Sequence, residues 1–392
     1  MDVYKQFYDQ SEEYFAQKKC SHTAREIAHQ PQMWRGLCGV LQENQQKIKD
    51  FMASIGPLNG VRIVLTGAGS SGFIGAGVAG FAAQSAGIHC EAIHTTDIVS
   101  APETALFPDM PTVLISFARS GNSPESEGAV RAARKLIKNL YEVAIVCDGG
   151  SRLSKVTQES EKGLLLVMPE GTNDKGFAMT SSVSCMMLAG FALLNPCKIE
   201  EIITDIKTLA GQVEKDSLKL SKAAADCAGW DFARAWYLGS GPLAAITREG
   251  ALKLMELTNG AVVAGQNGAA EFRHGPKTVM NPQTITIHFI SGNAFTAQYD
   301  KDLLNELSRE RDGNKIIALY NESEDRPPAD LSVPYSAAGY GICREIAVGI
   351  QGLVFMQVLS MYKSLALGVP TDNPSPSGLV NRVVQGVTVY PV

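Results

Sequence analysis

Four short apolar runs, each followed by a glycine- or serine-rich turn and then a helical pattern, constrain the fold more than any other feature. The runs are VRIVLT at 61–66, TVLISF at 112–117, VAIVCD at 143–148 and LLLVMP at 164–169. Continuous apolar strands are buried on both faces, and strands that alternate with helices form parallel sheets covered by helices. The sequence therefore predicts an α/β domain with a parallel sheet.

The same pattern restarts in the second half of the chain. AWYLGSG at 235–241 repeats the strand-into-glycine-turn logic of IVLTGAG at 63–69, and TITIHFI at 284–290 and KIIALY at 315–320 supply further strands. At roughly 100 to 200 residues per domain, the chain accommodates two such units. We therefore expect two three-layer αβα domains of related design, each with a parallel sheet.

Changes in composition along the chain set the expected domain bounds. The polar, helix-forming start and the polar stretch near 198–228, with apolar residues at three-to-four spacing, differ from the strand-rich parts. The predicted parts are an N-terminal helical segment at 1–50, a first α/β domain at 51–200, a helical connector at 201–228, a second α/β domain at 229–370 and a C-terminal tail at 371–392.

Overall charge excludes some classes of partner. Lys and Arg total 35 against 40 for Asp and Glu, and the net charge of −5 provides no cationic field for nucleic acid or an anionic membrane. The uncharged stretch 176–194 and the apolar stretch 346–362 approach membrane-spanning length. Serines and threonines interrupt the first and two glutamines the second, which favours buried helices of a soluble protein.

The cysteines and the N-terminus bear on the compartment. Eight cysteines are spread without CxxC or other metal-ligand spacing, which indicates reduced, packed thiols and no metal site. The N-terminus is polar and acidic where an export signal needs a basic start and an apolar middle. We expect a cytoplasmic protein.

The first glycine-rich turn predicts an anion site. TGAGSSG at 66–72 follows a strand and opens a helix, where backbone N–H groups and the positive end of the helix dipole face one spot. Gly67, Gly69 and Gly72 also satisfy GxGxxG, so a dinucleotide stays open as an alternative. The acidic residue that would hold its ribose could be Glu91 or Asp97, neither cleanly at the end of the next strand.

Two further hydroxyl-rich segments suit a phosphate monoester. In SFARSGNSPES at 116–126, Ser120, Asn122 and Ser123 supply short polar groups, and GFAMTSSVS at 176–184 places Thr180 and Ser181 where a helix begins. Such residues also cap ordinary helices, so a purely structural role remains the alternative.

One helix concentrates ionisable groups. In REGALKLMEL at 248–257, Glu249, Lys253 and Glu256 fall at i, i+4 and i+7 and so share a face. A glycine-rich loop at 260–276 follows and presents His274. The alternative is a solvated Glu–Lys pair on a surface helix, with a merely structural or exposed histidine.

Several long motifs, in order, resemble a known family. TREGALKLMELTNG, EFRHGPK, ISFARSGNSPES, DKGFAMTSS, LGSGPL and TDNPSPSGLVNRVVQG are similar to SIS (sugar isomerase) domain proteins. The double-SIS enzymes include the isomerase half of glucosamine-fructose-6-phosphate aminotransferase. The closer similarity is to the AgaS branch of tagatose-6-phosphate ketose/aldose isomerases and galactosamine-6-phosphate deaminases. It extends from about residue 25 to the C-terminus.

The resemblance implies roles for three residues. Glu256 falls on the carboxylate that moves a proton between C1 and C2 of the sugar, and Lys253 on a lysine one turn earlier. His274 falls on the histidine that opens the sugar ring, which in these dimers comes from the neighbouring subunit. The resemblance therefore implies a homodimer or higher homo-oligomer with a shared active site.

The resemblance also implies a phosphate site, to which Ser71, Ser120 and Ser123 correspond. With neighbouring turn and tail residues, the predicted phosphosugar-binding set is Gly69, Ser70, Ser71, Arg119, Ser120, Asn122, Ser123, Thr180 and Arg382. This sequence departs from the aminotransferase where Arg119 replaces a glutamine, Ala118 a serine and Gln385 a substrate lysine. The loop before His274 is also two residues longer.

The function that this pattern implies is conversion of galactosamine 6-phosphate to tagatose 6-phosphate and ammonia by proton transfer from C2 to C1. The chemistry requires no metal or other cofactor, and the only partner expected besides a second copy of the chain is the phosphosugar. The alternatives are a ketose/aldose isomerase without deamination and a non-catalytic phosphosugar-binding regulator, although no basic DNA-binding segment is visible.

Overall fold

The computed structural model describes residues 2–384 and 386–391. The chain forms two compact units, each built from separated segments. The first-sheet unit comprises Gln32–Asp174, Ser181–Thr204 and the tail from Gly378. The second-sheet unit comprises the chain up to Pro31, Lys175–Thr180 and Asp205–Ser377.

Four helices precede the first strand, as the polar N-terminal sequence predicts. They are α1 (Val3–Tyr8), α2 (Glu12–Gln17), α3 (Ser21–Ala28) and α4 (Gln30–Ile55). Pro31 lies in the first turn of α4, where its missing N–H costs no helical hydrogen bond.

The first sheet has five parallel strands in the order β2-β1-β3-β4-β5. The strands are β1 (Arg62–Gly67), β2 (Glu91–His94), β3 (Thr112–Ala118), β4 (Leu140–Val146) and β5 (Gly163–Val167). Its helices are α5 (Ser70–Ala86), α6 (Thr95–Ser100), α7 (Pro102–Ala105), α8 (Pro124–Leu136), α9 (Arg152–Gln158) and α10 (Ser181–Leu193). β1 and β3 are wholly buried, which explains their continuous apolar sequences.

The second sheet repeats this topology. After α11 (Ile199–Ala228), the strands are β6 (Arg234–Gly239), β7 (Val263–Asn267), β8 (Thr284–Phe289), β9 (Lys315–Asn321) and β10 (Leu331–Tyr335). The helices are α12 (Leu243–Leu257), α13 (Ala269–Phe272), α14 (Ala294–Arg309) and α15 (Arg344–Ala366). The strand order β7-β6-β8-β9-β10 matches that of the first sheet position by position, and all pairs are parallel. The predicted pair of αβα domains is confirmed.

The prediction of a continuous glycine-rich loop at 260–276 is wrong. The segment contains the edge strand β7 and the short helix α13. Gly265 lies within β7, opposite Trp236 on the neighbouring strand. This position requires glycine, because a Cβ there would come 2.5 Å from the indole ring of Trp236. A glycine that reads as a loop signal in the sequence therefore makes room for a large side chain in a sheet.

The two long apolar stretches form buried helices, as predicted. Every residue of α10 is buried in the first-sheet unit. α15 has the length and hydropathy of a membrane span, but 89% of its most apolar 18-residue window is buried within the protein. It is a core helix against which α12 packs. All eight cysteines are free, and five of them are buried.

Asp205 on α11 anchors the start of α15. Its carboxylate is 3% exposed and accepts the backbone N–H groups of Gly341 at 2.9 Å and Cys343 at 2.8 Å. We predict that Asp205→Asn lowers the free energy of unfolding by about 1–3 kcal/mol, because the amide leaves one buried N–H without an acceptor. Urea denaturation measures the loss.

The matched control for this experiment is Asp226→Asn on the same helix. Asp226 is exposed and forms only a 3.8 Å pair with Lys222, so the change should cost little. Equal effects of the two substitutions would contradict the role assigned to Asp205.

Candidate functional site

The first turn lies between β1 and α5. Gly69 adopts a φ of +56° at the N-cap position, a conformation that favours glycine, and α5 begins there without a side-chain cap. The chain thus leaves the positive end of this 17-residue helix without a capping side chain. Ser70 and Ser71 occupy its first turn and are each 5% exposed.

The second turn lies between β3 and α8. Arg119 is 7% exposed, and the Oγ atom of Ser120 accepts the backbone N–H of Asn122 at 3.3 Å. Ser123 takes the N-cap position of α8, and its hydroxyl hydrogen-bonds to that of Ser126 at 2.7 Å. These residues present hydroxyl and guanidinium groups at the carboxyl end of β3.

The sheet topology brings these two turns side by side. β1 and β3 are neighbours, with β2 beyond β1 and β4 beyond β3, so the direction of strand succession reverses between them. Such a switch point at the carboxyl edge of a parallel sheet is where α/β proteins bind ligands. The predicted residues Gly69–Ser71 and Arg119–Ser123 therefore converge on one edge of the first-sheet unit.

Asn122 has a structural role in this unit. Its Nδ2 donates to the carbonyl of Ser120 at 2.9 Å, and its Oδ1 accepts the backbone N–H of Arg152 at 3.1 Å. The Arg152 guanidinium donates to the Asn122 carbonyl at 2.7 Å. The amide thus ties the second turn to the start of α9.

Asp174, which sequence reasoning missed, caps α10. Its carboxylate is fully buried and accepts the hydroxyls of Ser181 and Ser182, each at 2.5 Å, and their backbone N–H groups at 3.2 and 3.0 Å. The Ser181 hydroxyl is therefore engaged within the protein. Thr180, just before the helix, is fully buried and belongs to the second-sheet unit, where its carbonyl accepts from Gln357 at 3.5 Å.

Arg382 fixes the C-terminal tail to the first-sheet unit. Its Nε donates to the carbonyl of Asp174 at 2.8 Å, and its Nη2 to Oδ1 of Asn173 at 2.8 Å. The Arg119 guanidinium donates to the Arg382 carbonyl at 2.7 Å. The second turn, the loop before α10 and the tail are thus joined. Gln385, the other tail residue singled out in the sequence, lies outside the described residues.

The ionisable face of α12 is buried, so the solvated-pair interpretation is wrong. The side chains of Glu249 and Lys253 are 0% and 1% exposed, and that of Glu256 is 25% exposed. The Lys253 ammonium lies 3.3 Å from Oε1 of Glu249 and donates to Oε2 of Glu256. Burial by itself lowers the pKa of Lys253, but the two carboxylates outweigh it and the net pKa is raised.

His274 lies in the same unit as this cluster. It follows α13 and is exposed, and its backbone N–H donates to the carbonyl of Glu271 at 2.8 Å. Within one chain, then, the His274 side chain is presented to the surroundings.

The structure does not support the dinucleotide alternative, because neither acidic residue expected to bind the ribose lies at the carboxyl end of β2. Glu91 begins β2 at the amino end of the sheet, and its carboxylate pairs with Arg62 at 2.6 Å, which lowers the pKa of Glu91. Asp97 lies within α6. The carboxyl end of β2 carries His94, whose ring packs so closely on Gly72 that a Cβ there would collide with it. Neither predicted carboxylate therefore lies at the strand end where the ribose would bind.

Fold and site together define a class: a double α/β protein whose first sheet carries hydroxyl-rich turns at its switch point and whose second carries a buried lysine–carboxylate cluster. The family model described as "SIS domain" matches residues 59–196. The D-galactosamine-6-phosphate deaminase AgaS of a Shewanella species is 38% identical over 375 residues, covering 94% of this chain and 92% of that protein.

Solved structures support the same family assignment. A Clostridium novyi protein superposes with a TM-score of 0.93 at 35% identity, covering 97% of this chain and 98% of that one. The tagatose-6-phosphate ketose/aldose isomerase of Escherichia coli superposes with a TM-score of 0.85 at 32% identity, covering 94% and 96%. The chain belongs to the SIS-domain family, in its AgaS group.

The Lys253 cluster generates a stability prediction. Lys253→Met leaves the fully buried Glu249 carboxylate without this cation and should lower the free energy of unfolding by about 3–5 kcal/mol. Adding Glu249→Gln should recover much of the loss. Because folding raises the pKa of Lys253, its contribution is complete below the ordinary value of 10.5 and is lost as pH rises through the folded value.

Denaturant unfolding of the two variants measures this coupling. The control is Lys222→Met, which removes the cation of an exposed pair and should change stability little. A double variant no more stable than Lys253→Met alone would contradict the ion-pair explanation.

Proposed function

We propose that this chain is a hexosamine-6-phosphate deaminase that converts galactosamine 6-phosphate and water to tagatose 6-phosphate and ammonia. The observation that carries the proposal is the pair on α12 between the buried Lys253 and the partly exposed Glu256, in a chain that matches an AgaS deaminase over 94% of its length. A lysine held beside a carboxylate suits proton transfer next to a carbonyl group.

The phosphate group anchors the substrate in this proposal. Ser70, Ser71, Ser120 and Ser123 surround the switch point of the first sheet, where short hydroxyls can donate to phosphate oxygens. The buried Arg119 guanidinium adds positive charge at the same edge. Anchoring one end of the sugar restricts its motion, so that binding energy contributes to the alignment of C1 and C2 for proton transfer.

Glu256 is the proposed base. In the open aldehyde, the carbonyl at C1 acidifies the C–H bond at C2, and the Glu256 carboxylate removes that proton and returns it at C1. Its partly exposed side chain is accessible to a ligand, whereas Glu249 is enclosed. Lys253, already ionised, stabilises the negative charge that develops on oxygen in the enol-type intermediate.

Deamination follows from the same proton transfer. With an amine at C2, moving the proton from C2 to C1, together with one amine proton from nitrogen to the C1 oxygen, gives an imine at C2 and an alcohol at C1. Water adds to the imine carbon, the carbon–nitrogen bond breaks, and ammonia leaves together with the ketose 6-phosphate. The chemistry therefore combines isomerisation with hydrolysis and needs no electron acceptor.

His274 is the proposed group for ring opening, acting in a neighbouring subunit. An imidazole both accepts and donates protons near neutral pH, so it can move a proton between the ring oxygen and the C1 hydroxyl. Its exposure within one chain supports a role at a site that a second copy completes. The proposal thus includes a homodimer, or a larger homo-oligomer, with shared active sites, working in the cytoplasm where free thiols stay reduced.

A second candidate function is ketose/aldose isomerisation without deamination, because a 32% identical structural relative is named a tagatose-6-phosphate ketose/aldose isomerase. It would use the same proton transfer on a substrate with a hydroxyl at C2. A non-catalytic phosphosugar regulator is disfavoured, because the partly exposed Glu256 beside the Lys253 ammonium suits proton transfer, which binding alone does not require.

We predict that the purified protein releases ammonia from galactosamine 6-phosphate, and that Glu256→Gln lowers kcat by about 100-fold or more while the protein stays folded. The amide keeps the size of the side chain but cannot accept the C2 proton. A coupled assay for ammonia and ketose 6-phosphate gives both products. The control is Glu161→Gln, an exposed carboxylate in the turn before β5, which should turn over like the wild type.

The outcomes separate the candidates. Interconversion of the neutral sugar phosphates with no ammonia from any hexosamine 6-phosphate would replace deamination by isomerisation. Tight phosphosugar binding without turnover would favour the regulator. Unchanged turnover in Glu256→Gln would remove this residue from the role of base.

The shared site predicts complementation between inactive subunits. Glu256→Gln and His274→Asn should each be nearly inactive alone. After they are mixed and allowed to exchange subunits, about half of the dimers are mixed and each has one intact site, so about a quarter of wild-type activity should return. Failure to recover activity, with subunit exchange verified by tagged chains, would place His274 in the same chain's site or outside the mechanism.

A further inference from the structure

The carboxyl edge of the second sheet repeats the backbone of the first turn. Gly241, between β6 and α12, has a φ of +57°, against +56° for Gly69 between β1 and α5. Each glycine lies two residues after the last residue of its strand, and the strands occupy equivalent positions in their sheets. The second-sheet unit therefore carries a copy of the turn geometry assigned above to phosphate.

The second turn is repeated in sequence and in hydrogen bonding. Ser120-Gly121-Asn122 follows β3, and Ser291-Gly292-Asn293 follows β8, its equivalent strand. In each copy the serine Oγ accepts the backbone N–H of the asparagine two residues later, at 3.3 Å in the first and 3.0 Å in the second. The two turns therefore share this hydrogen bond, although their glycines differ, since φ is +60° at Gly121 and is not positive at Gly292.

In the second-sheet unit, carboxylate side chains accept hydrogen bonds from both of these turns. Asp300 on α14 accepts the Ser240 hydroxyl at 2.5 Å through Oδ1 and the Ser291 backbone N–H at 3.0 Å through Oδ2. The Ser291 hydroxyl donates to Oε1 of Glu345 on α15 at 2.6 Å. Asp300 is 2% exposed, so its oxygens are enclosed among these donors.

These contacts match what a phosphate would receive. One anionic group accepts a hydrogen bond from a hydroxyl in the turn after β6 and another from a backbone N–H in the turn after β8. β6 and β8 are the neighbouring strands at the switch point of this sheet. A bound oxyanion in such a turn satisfies buried donors that would otherwise cost free energy. The Asp300 carboxylate satisfies these donors without any bound ligand.

We propose that the Asp300 carboxylate, supported by Glu345, is an internal anion that occupies the second domain's counterpart of the phosphate site. The second domain therefore binds no phosphosugar, and the turn that starts α12 is ordered whether or not substrate is present. The inference goes beyond the proposed function and holds whichever sugar phosphate the first domain takes.

The test removes the internal anion and offers a substitute. Asp300→Ala leaves the donors of Ser240 and Ser291 without a carboxylate and opens a space next to them. We expect this variant to have a lower Tm than the wild type in chloride, and inorganic phosphate at equal ionic strength to raise its Tm by about 3 °C more than it raises that of the wild type. Burial raises the pKa of Asp300 to about 6, so measurements at about pH 8 compare the ionised wild type.

A binding count gives a second readout. Equilibrium dialysis with radiolabelled inorganic phosphate should detect one more phosphate per chain in Asp300→Ala than in the wild type. Because the result is a difference between the two proteins, any site in the first domain cancels, and failure of the proposed enzyme activity does not affect it. The matched control is Asp302→Ala, which removes an exposed carboxylate from the same helix and should gain neither phosphate nor Tm.

Asp300→Asn keeps the test decisive if the alanine variant does not fold. The amide preserves the volume but removes the charge, and its Nδ2 meets donors, so we expect a lower Tm and no additional phosphate. A wild-type Tm for Asp300→Asn would overturn the proposal. A folded Asp300→Ala without extra phosphate, or an equal gain in Asp302→Ala that shows an adventitious ion only, would also overturn it.

Discussion

The ion pair between Lys253 and Glu249 is the interaction on which the second-sheet unit depends. An ammonium group and a carboxylate, both almost completely removed from water, stabilise the fold only while each has its partner. Both lie on α12, four residues apart, so the pair stabilises this helix, and packing fixes its position: Gly250 lies so close to α15 that a Cβ would collide with Met356. Glu256, one turn further along, is thereby carried by a rigid helix, which suits a group that must meet a particular carbon atom.

Sequence patterns predict the repeated sheets well because buried parallel strands leave a strong signal. Strands such as β1 and β3 are buried at every residue, so apolar side chains predominate in their sequences. The edge strands β7 and β10 escape prediction, since β7 contains Gly265 and β10 contains Pro334, residues that signal loops when read locally. A local pattern carries no information on the Trp236 ring that gives Gly265 its place.

The candidate residues were found by motif, whereas their supports were not. Lys253 and Glu256 stand out because helical spacing places them on one face, but Asp174 and Asp300 give no comparable signal. Asp174 meets its serines seven and eight residues later across a turn, and Asp300 meets Ser240 sixty positions away. Buried carboxylates that accept backbone and hydroxyl protons are defined by tertiary structure, which is why the sequence alone does not separate them from surface acids.

The interleaving of the two units has a practical consequence for protein engineering. The last segment of the first-sheet unit begins at Gly378, and Arg382 ties that segment to Asn173 and Asp174. Neither half can therefore be excised as one uninterrupted piece of polypeptide. A gene fragment that stops before the tail lacks the segment through which Arg382 contacts Asn173 and Asp174 in the first-sheet unit.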